Sequence, residues 1–167
     1  MVQAALELQR SICAACAPPK HQRPGTLKPL IDFNDRIYLD GVKWTIARSH
    51  FYHVLDAGSN YHVAMGSPSR DTKDLIHMLK KFWIRWAGPP SEMQTESGTE
   101  MMSHHFTEFT QGFNIKNNVI PPEAHWQQGK IERHGAFLQA MLTKVDLEAP
   151  IDDYESLQMA LNQCTHA

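Results

Sequence analysis

The segment Met93–Met101, MQTESGTEM, decides how the chain is read. Residues of strand character lead to a carboxylate at Glu96, a Ser-Gly turn follows, and a second carboxylate, Glu100, precedes the apolar pair Met101 and Met102. An acid at the end of a buried strand is costly unless it is paired or coordinates a cation. Partners must therefore come from elsewhere in the sequence.

Upstream, RIYLDGVKWT and FYHVLDAGSNYHVAMGSPS are rich in β-branched and aromatic residues, and Gly58, Ser59 and Asn60 supply a turn between two of the runs. They predict three consecutive antiparallel strands. From Asp71, as N-cap, Leu75, Leu79, Phe82 and Trp86 recur at helical steps until Gly88, Pro89 and Pro90 stop the helix. PSEMQT is then a fourth strand. Downstream, Ser103 caps a helix through Phe109, and NIKNNVI forms a short strand. A long helix carries Ile131, Gly135, Leu138, Leu142 and Val145 on one face before Pro150, and YESLQMALNQ is a last amphipathic segment. Strands first and helices interleaved later predict an α/β domain, a mixed central sheet with helices on both faces. Residues 1–29, with the Pro-rich stretch CAACAPPKHQRPGTLKP, read as a lead-in to a domain over 30–150, and 151–167 as a terminal helix.

Composition agrees with a folded domain: 167 residues, 42% hydrophobic and 20% charged. A net charge of −2 gives no bulk attraction to nucleic acid. Local binding would fall to clusters such as Arg70, Lys73, Lys80, Lys81 and Arg85, which a solvated helix face explains equally well. Three cysteines do not make a disulfide framework, no apolar run reaches transmembrane length, and MVQAALELQR lacks the pattern of a signal peptide. The expectation is an intracellular protein without membrane association.

Two further acids stand where solvation alone is a poor explanation. Asp40 interrupts the apolar run IYL before Gly41, and Glu132 lies in QQGKIERHG, where Gln128, Glu132 and Ala136 share one side of the long helix beside Ile131. If the fourth strand is central and Asp40 comes from its neighbour, Asp40, Glu96 and Glu132 converge. Like charges held close repel unless a cation sits between them, and hard oxygen ligands select Mg²⁺ or Mn²⁺. Exposed acids at strand ends are also commonplace, so spacing alone leaves that reading open.

Four segments taken in order, RIYLDGVKW, FYHVLDAGSNYHVAM, GPPSEMQTESGTEM and AHWQQGKIERHGAFLQAML, resemble the catalytic core of a retroviral-type integrase from the Pol polyprotein of an LTR retrotransposon of the gypsy or copia kind. In that family 35 residues stand between the second and third acids, as they do between Glu96 and Glu132. The resemblance implies a ribonuclease-H-like fold, two bound Mg²⁺ (or Mn²⁺) ions, trimming of DNA ends by water and joining of the 3′ ends to target DNA. It implies Asp40, Glu96 and Glu132 as catalytic residues and metal ligands, with DNA as partner, a homo-oligomeric assembly and action in the nucleus.

The family carries Asp at the second position, in a DNGTE-like motif, where this chain reads ESGTE. The additional methylene moves the carboxylate by about 1.5 Å, and a misplacement of about 1 Å can cost on the order of a hundredfold in rate. The resemblance therefore implies impaired catalysis. The alternatives are a decayed core of the same fold that binds nucleic acid, and a nuclease of the same fold.

Gln127, Gln128, Lys130, Arg133 and His134 flank Glu132 and are candidates for DNA contact, an exposed polar helix start being the other reading. Glu100 reads as the start of the next helix, Asp56 as a turn former and Cys164 as a buried cysteine. SICAACAPPK resembles the last portion of the family's N-terminal His-His-Cys-Cys zinc module. No histidine precedes Cys13, so Cys13 and Cys16 cannot complete a tetrahedral site, and residues 1–29 read as a remnant of that module.

Overall fold

The computed structural model describes residues 31–44, 49–121 and 129–166. The reading of Cys13 and Cys16 as a zinc remnant therefore lies outside the described residues, as do Gln127 and Gln128. Five strands form one sheet: β1 (Arg36–Trp44), β2 (Ser49–Asp56), β3 (His62–Ser67), β4 (Glu92–Glu96) and β5 (Lys116–Ile120). Their order is β3-β2-β1-β4-β5, with β1, β2 and β3 antiparallel and β4 and β5 parallel to β1. Hairpin-length connections suffice for antiparallel neighbours, whereas the parallel pairs need helical crossovers. Those are α1 (Thr72–Leu79), between β3 and β4, and α2 (His104–Gly112), between β4 and β5. The long α3 (Gly129–Glu148) and α4 (Tyr154–His166) come after the sheet.

Alternation along the strands divides the core between the two faces. Ile37, Leu39, Tyr52 and Val54 pack with Leu75, Leu79, Trp83 and Phe106 on one side. On the other, Trp44, Phe51 and Ala64 meet Leu138 and Leu142 of α3 and Leu157 and Leu161 of α4. The 151–167 segment thus contributes to the apolar core, and Gln158 accepts a hydrogen bond from the Gly66 N–H on β3 at 2.8 Å. Cys164 is a free thiol, only partly buried against this cluster. Among the described residues no helix is long and apolar enough to cross a membrane.

The first helix departs from the simple periodicity. After Leu79 it runs through a π-helical turn, Lys80–Ile84, before the last turn, Arg85–Ala87. A π turn inserts a residue and rotates the helix beyond it. Trp83 is therefore the buried aromatic, donating from Nε1 to Asn34 Oδ1 at 2.9 Å, while Trp86, expected on the core face, is 52% exposed. Gly88 ends the helix at φ 80°, a conformation that costs glycine little. Ser103 caps α2 by accepting from the Phe106 N–H at 3.2 Å, whereas Asp71 occupies the N-cap of α1 without a side-chain capping bond.

The turn after β2 is organised by Asp56, which is fully buried. Its Oδ2 accepts from the Ser59 N–H at 2.6 Å and the Ser59 hydroxyl at 2.7 Å, and Oδ1 accepts from the Asn34 N–H at 2.8 Å. Asn60 then takes φ 64°, a value asparagine tolerates. A turn-forming role fits these contacts. Leaving buried donors without an acceptor costs about 1–3 kcal/mol each. Asp56→Ala should therefore lower the urea unfolding midpoint, by about 2 kcal/mol or more in stability, with Asp56→Asn intermediate; an unchanged midpoint would show that water replaces the carboxylate at no cost.

Candidate functional site

The site is built by strand register. In the parallel pairing of β1 and β4, Leu39 lies opposite Thr95, so the next residues of the two strands, Asp40 and Glu96, emerge side by side where β4 ends. The crevice outside the carboxyl ends of parallel strands is where open α/β sheets place ligands. Asp40 is 8% exposed and Glu96 half-buried, and Glu132 stands exposed in the first turn of α3. Ile131, beside Glu132, is fully buried and anchors that turn.

Electrostatics report the proximity of these acids. Burial, foremost, and then the charge of Asp40, a hydrogen bond to Asp40 and the charges of Glu132 and Glu100 push the Glu96 carboxyl up to about 7. Residues from two strands and a helix, far apart in sequence, thus share one field. Among the described residues, no group of three or more His, Cys, Asp or Glu side chains is arranged to hold a metal ion as it stands. The donor chemistry nevertheless suits a hard divalent cation: the carboxyls bear oxygen ligands only, and burial with the charges of the neighbouring acids opposes ionisation of Glu96.

On its other side Asp40 is held by histidines. His53 lies directly across the β1–β2 ladder, is fully buried, and places Nε2 3.1 Å from Asp40 Oδ2. Its Nδ1 is 3.0 Å from His62 Nε2, and the His62 ring meets that of His134 edge-on with centroids 5.2 Å apart. Burial, then the proximity of His53 and His134, lowers His62 to about 3. His134 is lowered as well, chiefly by burial. Sequence reasoning misses His53, whose position opposite Asp40 becomes visible only once the register of the two runs is known.

Glu100 does not begin the next helix, which starts at His104. It is buried at 4% exposure behind the site, where Oε1 accepts from Arg70 Nη2 at 2.8 Å and the Tyr52 hydroxyl at 3.2 Å. Although burial opposes it, hydrogen bonding and charge from Arg70 hold the Glu100 carboxyl below its ordinary value. Arg70 is accordingly engaged within the fold, and Lys80 lies over the Phe109 and Phe113 rings. Of the candidates for DNA contact, Lys130 donates to the Ala57 carbonyl at 2.9 Å, tying α3 to the turn after β2. Arg133 is exposed, and His134 is half-buried toward His62.

No family model matches the chain. It is 24% identical over 170 residues to the Pro-Pol polyprotein of feline foamy virus, a match that covers 93% of this chain and 14% of the polyprotein. The chain therefore spans a small part of that relative's length. The HTLV-2 integrase catalytic core domain in complex with magnesium, in its dimeric form, superposes with a TM-score of 0.66 at 19% identity, over 80% of this chain and 84% of that one. A chain of the simian T-cell lymphotropic virus intasome in complex with PP2A regulatory subunit B56 gamma gives 0.69 at 23% identity, over 96% of this chain and 59% of that one. The chain has the ribonuclease-H-like fold of retroviral integrase catalytic cores, and it resembles part of a Pol polyprotein in sequence.

These shifts have pH effects of opposite sign. The folded chain holds Glu96 above its ordinary 4.5, so the stability tied to its protonation is full below 4.5 and is lost as pH rises to about 7. In chelator-treated buffer, Glu96→Gln should melt higher than the parent above about 7, and the gap should close toward 4.5. His62 is depressed from 6.5 to about 3, so its contribution is present above 6.5 and is lost as pH falls through that window. His62→Gln should flatten the acid limb of the melting profile there; an equally steep limb would assign acid lability to other groups.

Proposed function

We propose that the chain is the catalytic core of an integrase from the Pol polyprotein of an LTR element, joining DNA ends to target DNA by divalent-metal-dependent phosphoryl transfer. The observation that supports the reading is the β1–β4 register, which brings Asp40 and Glu96 side by side where β4 ends, with Glu132 in the first turn of α3. Magnesium in the HTLV-2 core supports the choice of Mg²⁺, or Mn²⁺, for this chain. Asp40, Glu96 and Glu132 would hold the ions, which supply neutralisation of the attacking and leaving oxygens of an in-line displacement.

The chain's own residues then have distinct tasks. Asp40, fixed on a central strand, gives the site its rigid side. Glu96, raised by burial and by the charge of Asp40, would have to surrender its proton, so occupancy by a cation would compete with protonation around neutral pH. Glu132, exposed at the start of α3, closes the site from the helix side. Arg133 offers a cation to the phosphate backbone beside it, with Lys130, Gln127 and Gln128 proposed as its companions. DNA ends and target DNA would be the partners, a homo-oligomer the working form, and the nucleus the place of action. The dimeric and trimeric forms of the HTLV-2 core support the oligomer.

A second reading, a core that binds nucleic acid without catalysis, draws on Glu96 itself, one methylene longer than the family's Asp. The two are separated by measuring end processing and strand joining on labelled DNA with Mg²⁺ and with the more permissive Mn²⁺. Glu96→Asp should raise activity by restoring ligand length, and Glu132→Gln should abolish it, since a neutral amide is a poorer partner for these cations. A fall on Glu96→Asp, or unchanged activity on Glu132→Gln, would refute the assigned roles. DNA binding without turnover in the parent and in Glu96→Asp would favour the second reading.

A further inference from the structure

His53 contributes no oxygen ligand and is fully buried, yet its Nε2, Nδ1 and Cε1 atoms each meet a neighbour of the site. Nε2 reaches Asp40 Oδ2 at 3.1 Å and Nδ1 reaches His62 Nε2 at 3.0 Å. A carboxylate accepts only, so Nε2 carries the hydrogen; in the neutral ring Nδ1 then accepts and His62 donates from its own Nε2. On the ring's other side is Gly135 of α3, where an added Cβ would stand 3.1 Å from both Cε1 and Nε2 of His53. Gly135 lies three residues after Glu132, on the same helix. One fully buried imidazole therefore touches the strand that carries Asp40 and the helix that carries Glu132.

We propose that His53 is a positioning residue: its Nε2–H fixes the orientation of the Asp40 carboxylate, and its ring sets how closely α3, with Glu132, approaches the sheet. The inference rests on the reading of Asp40, Glu96 and Glu132 as a divalent-cation site. Hydrogen-bonded partners behind a metal-binding group typically govern affinity by 10–100-fold. His62 completes the device, because its donation to Nδ1 selects the one tautomer of His53 that can serve Asp40.

The test measures Mn²⁺ affinity by calorimetry on the full chain, with melting temperature tracked in parallel. His53→Leu should weaken Mn²⁺ binding by about 10-fold or more. His53→Gln, whose amide nitrogen can take the place of Nε2, should recover most of the loss. Gly135→Ala, which presses on the ring without removing any polar group, should weaken binding as well. Nitrogen chemical shifts of the imidazole should show the Nε2–H tautomer in the parent; an Nδ1–H tautomer would overturn the proposal even if His53→Leu does not fold. Mn²⁺ affinity within twofold of the parent in folded His53→Leu, or a Gln variant as weak as Leu, would overturn it too. Asp40→Asn keeps the two failures apart: if that variant binds Mn²⁺ like the parent, or if the parent binds none, the cation site itself is wrong.

Discussion

Everything that matters here hangs on the parallel pairing of β1 with β4. Arg36 to Leu39 run beside Glu92 to Thr95, and the two strands reach their acids at the same level. Strand neighbours lie about 4.8 Å apart, a gap that side chains of this length span. A shift of β4 by one residue would send Glu96 to the opposite face and leave Asp40 without its neighbour. The register is secured from outside the site: Arg36 and Glu92 form an ion pair at 3.0 Å, and Asn118 donates to Glu92 from β5. Met93 and Thr95 are buried, so a slip would also expose apolar area. The position of the acids is therefore a consequence of core packing rather than of attraction between them, which for like charges has the wrong sign.

Polar groups buried around the site are arranged differently on the two faces of the sheet. On the α3 face, Asp40 Oδ2 pairs with His53 Nε2, and His53 Nδ1 pairs in turn with His62 Nε2. Across the sheet, Tyr52 and Arg70 converge on Glu100, the loop after β4 being held through the Thr72 hydroxyl donating to the Glu100 carbonyl at 3.0 Å. Glu100 is buried although Arg70 is exposed, so removing Arg70 would leave a buried carboxylate with one partner fewer. Gly41, next to Asp40, allows the two systems to lie so near each other, since an added Cβ would meet the Tyr52 ring at 3.0 Å. The loop that follows Glu96 is thus clamped from behind.

Much of this is legible in the sequence. Alternation and turn residues mark the three antiparallel strands, and the Gly88-Pro89-Pro90 stop and the Ser103 cap bound two helices, because these are local effects carried by neighbouring residues. Periodicity misplaces Trp86 because a π turn changes the helical phase without any proline or glycine to announce it. Glu100 is misread for a different reason: its partners, Arg70 and Tyr52, lie 30 and 48 positions away. His53 escapes notice for the same cause, since a histidine in an apolar run looks like ordinary filler until its cross-strand neighbour is known. The acids themselves stand out through their awkwardness, charges placed where strands should be dry.

The placement of Glu96 has a consequence beyond geometry. Burial and the charge of Asp40 beside it push its carboxyl upward, because two carboxylates held close do not both ionise readily. Protonation of Glu96 therefore moderates its repulsion with Asp40 and Glu132. A bound cation would perform the same neutralisation with a larger charge and would compete with that proton for the same field. An acid held up to about 7 is poised for that exchange near neutral pH, whereas one titrating at its ordinary 4.5 would be ionised throughout and the crevice would depend more heavily on the cation. Glu96, which departs from the pattern that the sequence resemblance implies, is thus the residue whose protonation relieves the crowding of these acids.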